Sequence, residues 1–144
     1  MGGAGQHGRK GEAINEVDKL QYILYIKDVP SEAGRNAEMA LFMRRPDEAE
    51  SILLQASPPL VYRAIKLNVR LFRWDRALEL ALRHKSHVDT VLGYRGRFLE
   101  KFGDRQETNP RFLQYAADVE VDWEAINAKK QKEKEDERLR GDGG

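Results

Sequence analysis

The sequence predicts an all-α fold, a short right-handed α-solenoid of helix-turn-helix repeats followed by a charged C-terminal helix. Two observations carry this. Moving the chain by 28 positions, Arg45 onto Arg73, lays RRPDEAESILLQA over FRWDRALELALRH, with Asp47 on Asp75, Ala49 on Ala77 and Leu54 on Leu82. Arg35 falls on Arg63 at the same offset. Each copy reads as a helix, a short break, and a second helix opening at an aspartate. Such a unit cannot cover its own apolar face and must stack on its neighbours.

The second observation is the stretch Val61 to His84, VYRAIKLNVRLFRWDRALELALRH, which divides into two helices. At 100° steps, Val61, Tyr62, Ala64, Ile65, Leu67, Asn68, Val69, Leu71 and Phe72 fill an arc of roughly 220°. Arg63, Lys66, Arg70 and Arg73 occupy the rest. A surface helix needs an apolar stripe only a little wider than about 100°, so this one requires cover from two sides. Asn68, inside the apolar arc, is expected to hydrogen-bond across to a neighbouring helix.

The remaining elements follow in order. Residues 1–11, MGGAGQHGRKG, read as a disordered glycine-rich leader, and Gln6 breaks the myristoylation pattern that the MG start suggests. The solenoid is expected over residues 12–128. Its first helix carries Ile14, Val17 and Leu20 and then the run Tyr22, Ile23, Leu24, Tyr25 and Ile26. The run could be a strand by composition, but the helical spacing before it decides for a helix, which Pro30 ends. Apolar on all sides, this helix is expected to be under-covered, which makes those five residues the candidate self-association surface.

Ser31 can cap the next helix, Pro46 with Asp47 starts its partner, and Pro58-Pro59 closes the unit. In the helix expected over Ser86 to Gly103, the residues Val88, Val91, Leu92, Leu99 and Phe102 form an apolar stripe. Gly103 suits its C-terminal cap. Within it, Gly93 and Gly96 mark either close backbone approach or tolerated weak positions. Asn109-Pro110 opens a short helix bearing Phe112 and Leu113, and Asp122 caps a last one anchored by Trp123 and Ile126. The mixed-charge run KKQKEKEDERLR reads as a solvated helical tail over 129–144, fraying toward its glycines, with a docking segment as the alternative.

Composition bounds the function. The chain is 40% hydrophobic and 34% charged with a net charge of +1, so no global field draws it to nucleic acid or an anionic membrane. It has no cysteine, hence no disulfide, thiolate zinc site or cysteine nucleophile. No apolar run reaches the roughly 18 residues of a membrane span, so no membrane insertion is expected. His84 and His87, with Asp89 nearby, lack a ligand set of known metal spacing and read as surface histidines at a helix boundary. GQHGRKG has no Lys-Ser/Thr and fails as a P-loop, and no serine sits in a nucleophile elbow. No catalytic, cofactor or metal residue is nominated. The stripe of Arg63, Lys66, Arg70 and Arg73, with Trp74 beside it, reads either as a solvated helix face or as the candidate partner site, a groove for an acidic segment.

Four stretches carry a resemblance. They are LQYILYIKDVP (Leu20 to Pro30), GRNAEMALF (Gly34 to Phe42), Trp74 to Gly103, and QETNPRFLQYAADVEVDWE (Gln106 to Glu124). Together they resemble the C-terminal helical region of the intraflagellar transport protein 80 family, collinearly over residues 14–128. The resemblance implies a tetratricopeptide-like, non-catalytic scaffold module of the intraflagellar transport B complex, supporting anterograde transport and cilium assembly. It implies other complex B subunits as partners, a possible homodimer, and a place in the cilium or flagellum and at the ciliary base, on the cytoplasmic side. The family's two WD-repeat propellers are not in this sequence, so their roles do not carry over, and the chain reads as a fragment, a truncated gene model or a partial duplicate. The competing expectation is a generic helical-repeat adaptor binding an acidic peptide outside cilia.

Overall fold

The computed structural model describes residues 16–103 and 105–141, and every regular element among them is helical. The expected leader, Ile14 and the last three residues lie outside the described residues. Helix α1 covers residues 16–28 and stops where Pro30 drives Val29 out of the helical region. The YILYI run is thus helical, as its spacing requires.

Helices α2 (Glu32–Phe42) and α3 (Pro46–Gln55) form the first pair, and α4 (Val61–Arg70) and α5 (Trp74–Arg83) the second. The 28-residue offset in the sequence is the offset of the structure. Arg45 N–H bonds to the Ala40 carbonyl at 2.9 Å, and Arg73 N–H to that of Asn68 at 2.9 Å. Between these ends, Arg44 and Phe72 hold left-handed backbone at φ 62° and 59°. This is the helix-stop geometry that usually recruits glycine, and a side chain there costs about 1–2 kcal/mol. Pro46 and Trp74 then take the first helical positions, and Ala49 and Ala77 are both fully buried. Small residues at those matching sites let the pairs stack closely. Lys85 repeats the stop at φ 52°, with Ser86 N–H on the Ala81 carbonyl.

Two positions in the expected apolar arc depart from it. Helix α4 ends at Arg70, so Leu71 and Phe72 fall in the turn and lie exposed, Phe72 by 59%. A helical wheel carries no information about where the helix stops. Phe102 is likewise half exposed, at the C-cap of α6 (Val88–Lys101), although Gly103 follows it at φ 103° as the capping glycine.

The core runs along the stack through Leu53, Ile65, Leu78, Leu80, Val91 and Phe112. Phe112 comes from α7 (Pro110–Asp118), which Asn109 caps through Arg111 N–H. Asn68 lies inside the core and donates to Glu50 Oε1 on α3 at 2.9 Å, the cross-helix bond expected of it.

The last helix, α8 (Trp123–Arg140), docks one face on the repeats, while seven of the twelve residues from 129 to 140 stay exposed. Asp122 caps it as foreseen, accepting from Glu124 and Ala125 N–H. It crosses α6 at Gly93, where an added Cβ would meet Trp123 Cζ2 at 2.9 Å and Ile126 Cδ1 at 3.3 Å. Gly93 is therefore a close-approach glycine, whereas Gly96 has nothing within 4 Å of such a Cβ. Beyond Ile126 the helix stays on the stack for its whole length of about 27 Å, back to the start of α2. Charge composition pointed to solvent; five of the ten charged residues instead find partners on α4, on α6 and in the turns before α2, α4 and α6.

Candidate interaction surface

Four cations and one tryptophan were expected to form an open stripe. Arg63, Lys66, Arg70 and Arg73 do follow one face of α4 into the turn, but the three arginines are engaged within the chain. Arg70 Nη1 donates to Glu38 Oε1 at 3.0 Å, and Arg73 Nη1 to Asp47 Oδ1 at 2.9 Å. Arg63 donates from Nε to Glu137 Oε1 at 2.5 Å and also lies 4.0 Å from Glu38. Trp74 is buried rather than displayed; its ring packs 5.3 Å from that of Phe98, and the Arg95 guanidinium sits 5.6 Å over it.

Lys66 is the exception. It is exposed, and among the described residues no carboxylate lies within ion-pair distance of it. Partial burial, then the nearby charges of Lys130, Lys134, Arg70 and Arg63, hold its ammonium below the usual lysine range.

Glu38 is the first hub of the seam. It is buried on α2 and accepts from Tyr22 Oη at 2.5 Å as well as from Arg70. Burial first, then the bond to Glu38, pushes the Tyr22 hydroxyl up to about 12. For Arg63 and Arg70, burial works against the charge but the carboxylates outweigh it, and both are raised. A paired buried carboxylate of this kind is costly to strip of its partners, by about 3–5 kcal/mol.

Glu137 is the second hub, only 6% exposed although it lies in the charge-rich run. Ser31 Oγ donates to Glu137 Oε2 and also accepts from Gly34 N–H at 3.1 Å, so one hydroxyl both caps α2 and binds α8. The carboxylate thereby sits at the positive end of α2. Gly34 permits this, since an added Cβ there would stand 2.9 Å from Glu137 Oε2.

One helical turn back, Glu133 Oε1 lies 3.0 Å from His87 Nε2, whose Nδ1 lies 3.1 Å from Thr90 Oγ1. His87 is buried at φ 65° against the Tyr62 ring, which corrects its reading as a surface histidine; His84 is exposed. Lys129 pairs with Asp89, Lys130 donates to Tyr94 Oη, and Arg140 Nη2 reaches the Pro58 carbonyl at 2.9 Å. Between α8, α4 and the α1–α2 turn remains a cleft of about 440 Å³, lined by Tyr25, Leu60, Arg63, Lys66, Glu133 and Glu137 among others.

The self-association run is split by the structure. Ile26 is buried, and Tyr22 is half-buried with its ring 5.5 Å from that of Phe42, while Ile23, Leu24 and Tyr25 are exposed. Val17 and Leu20 are exposed too and extend the apolar face of Leu24 by helical spacing, which the sequence reading left out. Glu38, Glu137 and Gly34 were also missed. No local pattern marks them, because their partners lie up to 106 positions away.

Among the described residues no cluster of three or more metal-ligating side chains occurs, and no helix is long and apolar enough to cross a membrane.

The comparisons with known proteins agree in one direction. The family model described as the IFT80/172/WDR35/WDR19 TPR domain matches residues 11–139. The rat protein named intraflagellar transport protein 80 homolog is 52% identical over 132 residues, which is 92% of this chain and 17% of that protein. The mouse protein of the same name is 51% identical over 132 residues, with the same coverage. The chain thus spans under a fifth of the length of these relatives. No solved structure matches.

Proposed function

The chain belongs to the IFT80/172/WDR35/WDR19 TPR domain family, and from that premise we propose that it is a non-catalytic scaffold module of intraflagellar transport. In this reading it works within complex B, through protein–protein contacts, to support anterograde transport and cilium assembly. The observation that carries the reading is the collinear match over residues 11–139, together with the 52% identity to a protein named for that transport. The geometry supports it. Stacked helix pairs present long side faces, and the described charge clusters serve to lock one helix to the next rather than to converge on a reacting group.

The partners are other complex B subunits, and the place is the cilium or flagellum and its base, on the cytoplasmic side. Homodimerisation runs through the exposed α1 face of Val17, Leu20 and Leu24. The test is affinity purification of the tagged chain from ciliated cells. Complex B subunits co-purify if the reading holds; their absence at normal expression contradicts it. A Leu20→Glu, Leu24→Glu double variant separates the dimer from the rest, because it should sediment as a monomer and still capture those subunits.

A further inference from the structure

Helix α8 is held in two unlike ways. Its first turn is anchored by apolar contact, with Ile126 fully buried and the Trp123 ring edge-on to Tyr94 at 5.4 Å. From Lys129 onward, among the described residues, the side-chain contacts with the stack are polar, namely Lys129 to Asp89, Lys130 to Tyr94, Glu133 to His87, Glu137 to Ser31 and Arg63, and Arg140 to a carbonyl. The one large apolar side chain of this half, Leu139, is 69% exposed. The partly exposed pairs, Lys129 with Asp89 and Glu133 with His87, are individually weak and salt-sensitive, whereas the Glu137–Arg63 pair is buried and is screened least.

The fit also contains a mismatch. Glu133 and Glu137, four residues apart, present carboxylates to the groove, where His87 and the Arg63 guanidinium receive them. On the same helix Lys134 lines the same cleft as Lys66, the charges of Lys130 and Lys134 both work against the Lys66 ammonium, and no carboxylate among the described residues pairs with it. The segment supplies matched acceptors at two positions and, at two more, cations that act against a cation, although Lys130 also meets Tyr94 Oη.

We propose that residues 129–140 are a displaceable strap over a docking groove formed by α4, the start of α6 and the N-terminus of α2. The groove's partner is an acidic helix from another protein, with two carboxylates spaced as Glu133 and Glu137 are and acidic residues where α8 places Lys130 and Lys134. Such a helix reproduces the two good contacts, exchanges the Lys130 donation to Tyr94 Oη for acceptance from that hydroxyl, and gains Lys66. The basic stripe is then a real recognition surface, reduced to Arg63 and Lys66 and occupied in the resting chain by its own C-terminal helix. The proposal rests on the reading of this chain as a contact module, but not on any ciliary partner.

The test uses the whole chain and two labelled synthetic peptides, one of residues 121–141 and one with Lys130→Glu and Lys134→Glu. Fluorescence anisotropy at low salt should show the acidic peptide binding about tenfold more tightly, the effect of a few surface ion pairs gained and repulsions removed. The exposed variant Lys66→Glu, which breaks none of the observed ion pairs, should abolish that preference. Trypsin should cleave after Lys132 and Lys134 faster once the acidic peptide is bound, because the strap has been lifted. Equal affinity of the two peptides, an unchanged preference in Lys66→Glu, or binding without faster cleavage each overturns the proposal. So does a concentration-dependent dimer whose formation alone accelerates cleavage, which assigns the groove to a second copy. These outcomes involve no ciliary subunit, so they leave the affinity-purification result to stand or fall separately.

Discussion

Arg63 on α4 and Glu137 on α8, 74 positions apart, meet at 2.5 Å between Nε and Oε1. That contact joins the second repeat to the end of the chain, and through Ser31 it reaches the start of the first. Removing the guanidinium leaves a buried carboxylate facing only a hydroxyl. Arg63→Ala should therefore lower stability by about 2–3 kcal/mol in urea denaturation. A loss under about 0.5 kcal/mol, typical of an exposed pair, would show that the seam adds nothing.

Two glycines on helices should respond in opposite directions to alanine. At Gly34 the new methyl collides with Ser31 Oγ, Val29 Cγ1 and Glu137 Oε2, all under 3 Å, so Gly34→Ala should destabilise by about 1–3 kcal/mol. At Gly96 the methyl meets nothing, and Gly96→Ala should gain about 0.5–1 kcal/mol from helix propensity. Thermal melts of the two variants check both signs.

Acid should weaken the α3–α5 junction. Glu50 accepts from Arg76 Nε and Nη2 at 3.0 and 2.8 Å and from Asn68 Nδ2, and the Arg76 bonds above all hold its carboxyl below the usual 4.5. A carboxyl depressed in the folded state stabilises it above the unfolded pKa and loses that contribution as pH falls through the folded value. The urea midpoint should drop as pH is lowered below about 4.5. Glu50→Gln should flatten that slope while starting from a lower midpoint at neutral pH. An unchanged slope contradicts the assignment.

The left-handed turn residue Arg44 offers a stabilising change. It is exposed at φ 62°, and Arg44→Gly should raise stability by about 0.5–1 kcal/mol by relieving the clash of its Cβ. A decrease on substitution would mean that the side chain adds more than its backbone costs.

These sites show what was legible in the sequence. The repeat register could be read because its signals are local and chemical. Pro46 and the caps Ser31, Asn109 and Asp122 cap or start helices within a few residues of themselves, and Ala49 and Ala77 stand out by the repeat alone. The end of α4 could not be read, because Phe72 stops the helix with a residue that carries no stop signal. The basic stripe was visible as a stripe, but its occupants were not. Glu38 and Glu137 are ordinary acidic residues in their own neighbourhoods, and only the fold brings them to Arg63. The charged run was legible as a helix with a solvated face, but not as to its docked face, since ten charges in twelve residues say nothing of partners on other elements. His87 was hidden for the same reason, its partner Glu133 lying 46 positions on.

The account turns on residues 129–140 lying against the repeats through their charges. Amide hydrogen exchange of the intact chain, at roughly 50 mM and roughly 500 mM salt, tests this most directly. At low salt these amides should be clearly protected, and at high salt they should exchange faster while those of α5 stay unchanged. Exchange at the rate of an unstructured chain in both conditions, or protection that salt leaves untouched, would contradict it.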